Sequence, residues 1–295
     1  DYFTDKLLGY LSRPTDKPFF AYLPFSAPHW PLQAPKESIA HYQGRYDAGW
    51  DVLRRERLER QKALGILPAD INLEPPATQR KWESFSKPEQ QGYARKMEIY
   101  AAMVERMDWN IGRVIDQLGK SGQLDNTVVI FMSDNGAAGD TLSSLAEKVP
   151  GFPPIDEGRP EDWGGVDSML SYGPSWAQTG TAPHRLYKSV ITEGGLLSPL
   201  ILRYPGFARQ GSIEKRFATA LDIVPTLLSL AGVEQTKEPE AFGGRSLLPY
   251  RMRQSDTVHD ADEVFGWELF GQRAIRRGDW KLVFVSQPNG SGEWA

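Results

Sequence analysis

The sequence contains no cysteine, which excludes disulfides and thiolate metal sites. Its four histidines are too few and too widely spaced for a pair of imidazole-bound zinc ions. No apolar run is long enough to span a bilayer, and no cluster of Lys or Arg offers a footprint for nucleic acid or a membrane surface. A formal net charge of -4 and a pI near 5.7 leave a small molecule as the expected partner. Residues Asp1 to Asp5 lack the basic start and apolar stretch of a signal peptide, and no Met opens the chain. The chain is therefore read as a fragment, and its compartment is not legible.

What is present is the composition of a folded chain. At 295 residues, 40% hydrophobic and 24% charged, it can build one large core or two domains. Thr4 is placed as the N-cap of a short helix carrying Leu7, Leu8 and Leu11, with a turn through Pro14 to Lys17. Pro18 to Leu23 is continuously apolar and predicts a strand covered on both faces, ending just before His29. Residues 45 to 68 mix acidic and basic side chains around Leu53, Leu58 and Leu64, as a solvated covering helix does. Residues 69 to 88 show little periodicity and are read as an irregular excursion.

Ser86 and Glu89 have capping-box spacing, and Met97, Ala101, Val104, Met107, Ile111, Val114 and Leu118 then recur at helical intervals. Thr127 to Met132 is β-branched and apolar, which predicts a central parallel strand delivering Ser133-Asp134-Asn135-Gly136 to its C-terminal end. Residues 137 to 183 carry Gly, Pro, Ser and Trp without a period and suggest a lid or pocket-lining loop. Pro199 to Arg203 reads as another strand, and Asp222 as the cap of a helix stopping at Gly232. After the loop of residues 234 to 263, aromatic and β-branched segments at 264 to 270, 273 to 276 and 280 to 285 predict antiparallel strands with a Gly278-Asp279 turn.

Three places carry candidate chemistry. Asp134 and Asn135 present two adjacent side-chain oxygens that suit a hard cation such as Ca²⁺, although Asp and Asn before Gly are also ordinary turn formers. His29, between Pro28 and Trp30-Pro31, is a candidate acid or base, or a hydrogen-bonded structural imidazole. Lys188 is a candidate anion holder or a solvated surface charge. His184 is a further pocket candidate, His41 and His259 read as surface residues, and Trp30, Trp163 and Trp176 are candidates for an aromatic wall or for plain packing. Glu193, Gly194 and Gly195 are read as setting a turn, outside the site.

Phe19 to Leu23 running into Ala27-Pro28-His29-Trp30-Pro31, then Ser133-Asp134-Asn135-Gly136, then Lys188 before Thr192-Glu193-Gly194-Gly195, follow one another in an order that resembles the type I sulfatases. Gly44-Arg45-Tyr46-Asp47-Ala48-Gly49-Trp50-Asp51 looks like the bacterial-type arylsulfatase branch, and Arg276 to Leu282 is similar to that family's C-terminal hairpin. The resemblance covers essentially the whole chain. It implies an α/β fold, an alkaline-phosphatase/sulfatase-like mixed sheet sandwiched by helices, with a small C-terminal antiparallel subdomain. The expected division is residues 1–250 for the catalytic α/β part and 251–295 for the start of that subdomain.

By the same resemblance, Asp134 and Asn135 are two of the Ca²⁺ ligands, and Asp134 also activates a formylglycine nucleophile. His29 sits by the bridging ester oxygen and Lys188 holds the sulfate, so His29, Lys188 and Asp134 are the expected catalytic residues and His29 and Lys188 bind substrate. No Cys and no Ser-x-Pro-x-Arg occurs in the sequence, so the nucleophile is expected upstream of Asp1 and the isolated chain is expected to be inactive. Two other classes stay open. A phosphomonoester or phosphonate hydrolase shares the implied fold, and a non-enzymatic binding protein would follow from a natural truncation.

Overall fold

The computed structural model describes residues 1–73, 76, 80–233 and 243–295. They form two compact units, one of Asp1–Thr127 with Asn135–Leu197, the other of Val128–Asp134 with Ser198–Ala295.

The first unit is helical: α1 (Tyr2–Leu11), α2 (Lys36–Ala40), α3 (Gly49–Ala63), α4 (Lys87–Lys120), α5 (Leu142–Lys148), α6 (Pro174–Gly180) and α7 (Glu193–Leu196). Its spine is α4, which starts where the sequence says it should. Ser86 and Glu89 close a reciprocal capping box, with Pro88 in the first turn where a missing N–H costs nothing. The apolar stripe of α4 buries Ala94, Met97, Ile99, Ala102 and Met103 in a core shared with Leu32, Ile39, Trp50, Trp82, Leu170 and Trp176. Trp50 is the hub, edge-on to Trp82, Phe85, Tyr93 and Trp176 with ring centroids 4.6 to 5.5 Å apart. Its indole N–H donates to the Arg80 carbonyl at 2.9 Å, so a large apolar ring is buried without orphaning its one polar atom.

The Gly44 to Asp51 run is explained by packing around that hub. The Glu98 carboxylate accepts from the Gly44 amide and the Asp51 carboxylate from the Trp82 amide. Gly49 has φ +81°, and a Cβ there would fall 2.2 Å from the Trp82 indole, so only glycine lets the two approach.

The second unit carries both sheets. β1 (Val129–Met132) pairs antiparallel with β2 (Leu200–Arg203), Val129 opposite Arg203 and Met132 opposite Leu200. β3 (Val264–Leu269), β4 (Gln272–Arg277) and β5 (Trp280–Phe284) form an antiparallel meander, as the alternating aromatic and β-branched pattern predicts. Beside them are α8 (Ile223–Leu230) and α9 (Leu248–Arg251). A buried ion cluster joins this unit's loops: Asp222, fully buried, accepts from the amides of Thr219 and Arg245 and lies 3.0 Å from His259 Nε2, whose Nδ1 is 3.2 Å from Glu263.

Several expectations are corrected. The N-cap of α1 is Asp1, and Thr4 lies buried within the helix. Pro18 to Leu23 joins no ladder among the described residues, and Phe20 and Tyr22 stand 77% and 80% exposed. An apolar run reports β-propensity, but a strand exists only where a neighbour accepts its hydrogen bonds. β1 is antiparallel to its neighbour and only half-buried, because hydrophobicity carries no information on strand direction. Residues 137 to 183 are not a free lid: they hold α5 and α6, and Leu170, Trp176 and Ala177 are core. His259 is buried among Asp222, Glu263 and the rings of Phe217 and Phe265 instead of lying at the surface. Parts of the 69 to 88 excursion and of the 234 to 263 loop lie outside the described residues.

Candidate active site

His29 and Lys188 are 159 positions apart in sequence, yet His29 Nε2 and Lys188 Nζ lie 3.4 Å apart within the first unit. His29 is exposed, and its ring lies tilted by 49° against that of Trp30 with centroids 4.4 Å apart. Its Nδ1 is 2.7 Å from the Trp30 carbonyl. A carbonyl only accepts, so Nδ1 carries the proton, and Nε2 is turned toward the lysine as acceptor. The imidazole is thereby fixed in tautomer and direction, with its second nitrogen aimed at the ammonium.

The loop bearing Lys188 is wound tightly. Leu186 and Ser189, on either side of it, both have left-handed backbones, with φ 62° and 72°. The Lys188 amide donates to the Ala137 carbonyl at 2.9 Å, and Gly136 donates to the Gly195 carbonyl at 3.0 Å. These bonds tie the lysine loop to the stretch that begins at Asn135. The two backbones touch because no side chain intervenes: a Cβ on Gly136 would fall 1.8 Å from the Gly194 carbonyl oxygen, and one on Gly195 would fall 1.9 Å from that of Val190. On the far side of the same stretch, the Ala138 amide donates to the Tyr172 hydroxyl at 3.1 Å. Burial, with the nearby Tyr100, pushes the Tyr172 phenol well above its ordinary range, so the hydroxyl keeps its proton throughout the working pH range.

Asn135 opens the second stretch of this unit, and its side-chain amide nitrogen donates to the Gly136 carbonyl at 2.9 Å, which fixes how the amide faces. Asp134 is the preceding residue, exposed, and ends the β1 segment of the other unit. Two adjacent oxygen-bearing side chains fit part of a Ca²⁺ shell of about six to eight oxygens. No group of three or more His, Cys, Asp or Glu able to hold a metal occurs among the described residues.

Of the other candidates, Trp30 lies against His29, whereas Trp176 is in the hydrophobic core and Trp163 lies under the Lys96 ammonium. Trp30 and Trp163 pack against the same core that buries Trp176. His184 follows α6, its amide donating to the Thr181 carbonyl. His41 is exposed and paired with Glu105, as expected. Glu193 to Leu196 does form a short helical turn. Sequence reasoning nevertheless missed what Gly194 and Gly195 do, although the Thr-Glu-Gly-Gly run was visible, because close backbone approach leaves no pattern of its own. Tyr172 was missed for a similar reason, having no polar neighbour in sequence to mark it.

The sequence model of the sulfatase family matches residues 1–233. An uncharacterized sulfatase of Schizosaccharomyces pombe is 45% identical over 306 residues, covering 100% of this chain and 55% of that protein. An arylsulfatase of Klebsiella aerogenes is 37% identical over 226 residues, covering 76% of this chain and 48% of that protein. The chain thus spans about half the length of these curated relatives. Among solved structures, Ps i-CgsB in complex with a neocarrahexaose superposes with a TM-score of 0.58 at 23% identity, over 100% of this chain and 47% of that one. BT4656 in complex with D-glucosamine-2-N,6-O-disulfate gives 0.58 at 21% identity, over 100% of this chain and 61% of that one. These likenesses show the fold to be the α/β alkaline-phosphatase/sulfatase-like architecture, with its small antiparallel C-terminal sheet.

Proposed function

The chain belongs to the sulfatase family, and from that premise we propose that it is the part of a sulfuric ester hydrolase that binds and polarises the sulfate group of an aryl-type monoester. The observation that carries the reading is the meeting of His29 Nε2 and Lys188 Nζ at 3.4 Å. Two nitrogens that each can bear a proton, held side by side, suit an anion with several oxygens once one lies between them.

Cleaving the S–O bond builds negative charge on the leaving oxygen. As the imidazolium, with a second proton taken up on Nε2, His29 gives that Nε2 proton to the leaving oxygen and returns to the neutral ring while Nδ1 stays bonded to the Trp30 carbonyl, so the proton moves from a fixed place. Lys188 pairs with the sulfuryl oxygens and stabilises the charge that spreads over them. Asp134 and Asn135 would hold Ca²⁺, which when bound would withdraw electron density from the sulfuryl group, and Asp134 would also help activate the nucleophile. The nucleophile is a formylglycine made from Cys or Ser in residues outside this chain, since the 295 residues contain no cysteine and no Ser-x-Pro-x-Arg. The isolated chain is accordingly inactive, with too few ligands to hold Ca²⁺ tightly. Residues 1–250 are the catalytic α/β part, and 251–295 open the small C-terminal subdomain.

The test is hydrolysis of an aryl sulfate against the matching aryl phosphate by the whole protein containing this chain, with and without a calcium chelator. Sulfate turnover abolished by the chelator, and none from residues 1 to 295 alone, is the expected result. Comparable phosphate turnover indifferent to the chelator overturns the assignment in favour of a phosphohydrolase.

A further inference from the structure

The loop that presents Lys188 is in a conformation that its own residues disfavour. Leu186 and Ser189 carry side chains, yet both sit at positive φ, 62° and 72°, where an L-residue crowds its own carbonyl. Such a winding persists only where the surroundings over-determine it. Two side chains supply the restraint. Thr192 Oγ1 donates to the Arg185 carbonyl at 2.6 Å, and Thr181 Oγ1 donates to the Leu186 carbonyl at 2.8 Å. Thr192 is buried, and Leu186 is fully buried, so the Leu186 carbonyl has no easy recourse to water. The hydroxyls reach the loop from both sides, one from the end of α6 and one from the residue that precedes α7. Gly194 leaves room for the same two carbonyls: a Cβ there would stand 2.1 Å from the Leu186 oxygen and 2.5 Å from that of Arg185.

We propose that Thr181 and Thr192 are positioning residues for Lys188, their hydroxyls holding the 185–190 loop in its left-handed winding so that the ammonium faces His29 Nε2. The proposal rests on the reading that Lys188 holds the sulfate group. Neither threonine touches the lysine side chain; each acts through a carbonyl two or three residues before it. Without its hydroxyl, each carbonyl loses that hydrogen bond and the loop relaxes toward negative φ. The Lys188 side chain then leaves in another direction, and the 3.4 Å meeting with His29 is lost.

The test compares Thr192→Val, Thr192→Ser, Thr181→Val and wild type, each as the full 295-residue chain. Valine keeps the volume and removes the donor, whereas serine keeps the donor. Two readouts are taken by NMR. One is the cross-relaxation between the Lys188 ε-protons and the His29 ring, which needs no ligand; the other is the shift of both residues on titration with inorganic sulfate. The expected result is that either valine variant loses the Lys188–His29 cross-peaks and binds sulfate about 10-fold more weakly, the equivalent of one net hydrogen bond. Thr192→Ser restores both, and cross-peaks among Trp50, Trp82 and Trp176 persist throughout. Valine variants that keep the Lys188–His29 cross-peaks overturn the proposal, as does a serine variant that behaves like the valine one. Should sulfate leave His29 and Lys188 unmoved in wild type, the sulfate-binding reading falls, while the ligand-free cross-peaks still decide the role of the threonines. Should Thr192→Val not fold, Thr181→Val decides alone, since the proposal requires both hydroxyls.

Discussion

Replacing Gly49 by alanine adds one methyl group at the most crowded backbone position of the aromatic core. Its φ of +81° is costly for any residue with a Cβ, by about 1–2 kcal/mol. That Cβ would lie 2.2, 2.3 and 2.6 Å from three atoms of the Trp82 indole, well inside contact distance. Trp82 cannot retreat cheaply. Its amide donates to Asp51, its carbonyl accepts from the buried Gln90 side chain, and its ring abuts Trp50 at 4.6 Å. Overpacking of this kind costs about 1–3 kcal/mol, so the total is about 2–5 kcal/mol. For a domain of this size each kcal/mol moves the midpoint by about 2–4 °C, so Gly49→Ala melts roughly 4–20 °C below wild type when unfolding is followed by tryptophan fluorescence. Gly112→Ala is the control: the same methyl group on α4, with nothing beyond the helix's own backbone within 4 Å of it, raises stability by about 0.5–1 kcal/mol through helix propensity. Opposite signs from one chemical change are the expected outcome. A Gly49→Ala chain within about 1 kcal/mol of wild type would refute the steric reading.

Lys188→Met, which keeps the stem and removes the charge, weakens inorganic sulfate binding by about 10- to 150-fold in calorimetry, the range for a lost charge-assisted hydrogen bond. An unchanged affinity removes Lys188 from the site. Hydrogen bonds from the hydroxyls of Ser212 and Tyr250, with the Arg251 guanidinium nearby, hold the Glu214 carboxyl below the usual carboxylate range. A depressed folded-state pKa gives stability that is present above the unfolded value of about 4.3 and is lost as pH falls through the lower folded value. Urea midpoints therefore decline below about pH 4, and Glu214→Gln flattens that decline; an identical acid limb in the variant contradicts it.

How much was legible beforehand depended on how local each feature's cause is. The capping box of Ser86 and Glu89 lies within one turn, so the start of α4 could be read directly, and the helical stripe from Met97 onward told which face would be buried. The C-terminal meander was legible because turn residues and alternating strands are consecutive in the chain. His29, Lys188, Asp134 and Asn135 could be named from their flanking motifs, but not their geometry. Nothing in either segment states that residues 29 and 188 meet, that Trp30's carbonyl orients the imidazole, or that two threonine hydroxyls brace a left-handed loop. The misread segments fail for one reason. Pro18 to Leu23 and Thr127 to Met132 have the composition of buried parallel strands, yet strand pairing, its direction and its burial belong to the neighbour and not to the segment. Residue type and short-range spacing thus determined the long helix α4 with its capping box, the meander and the identity of the chemical groups, but not the cap of α1 or the helices α5 and α6. Only the tertiary structure decided which of those groups face one another, because hydrogen bonds and steric contacts between distant segments depend on coordinates that no local pattern encodes.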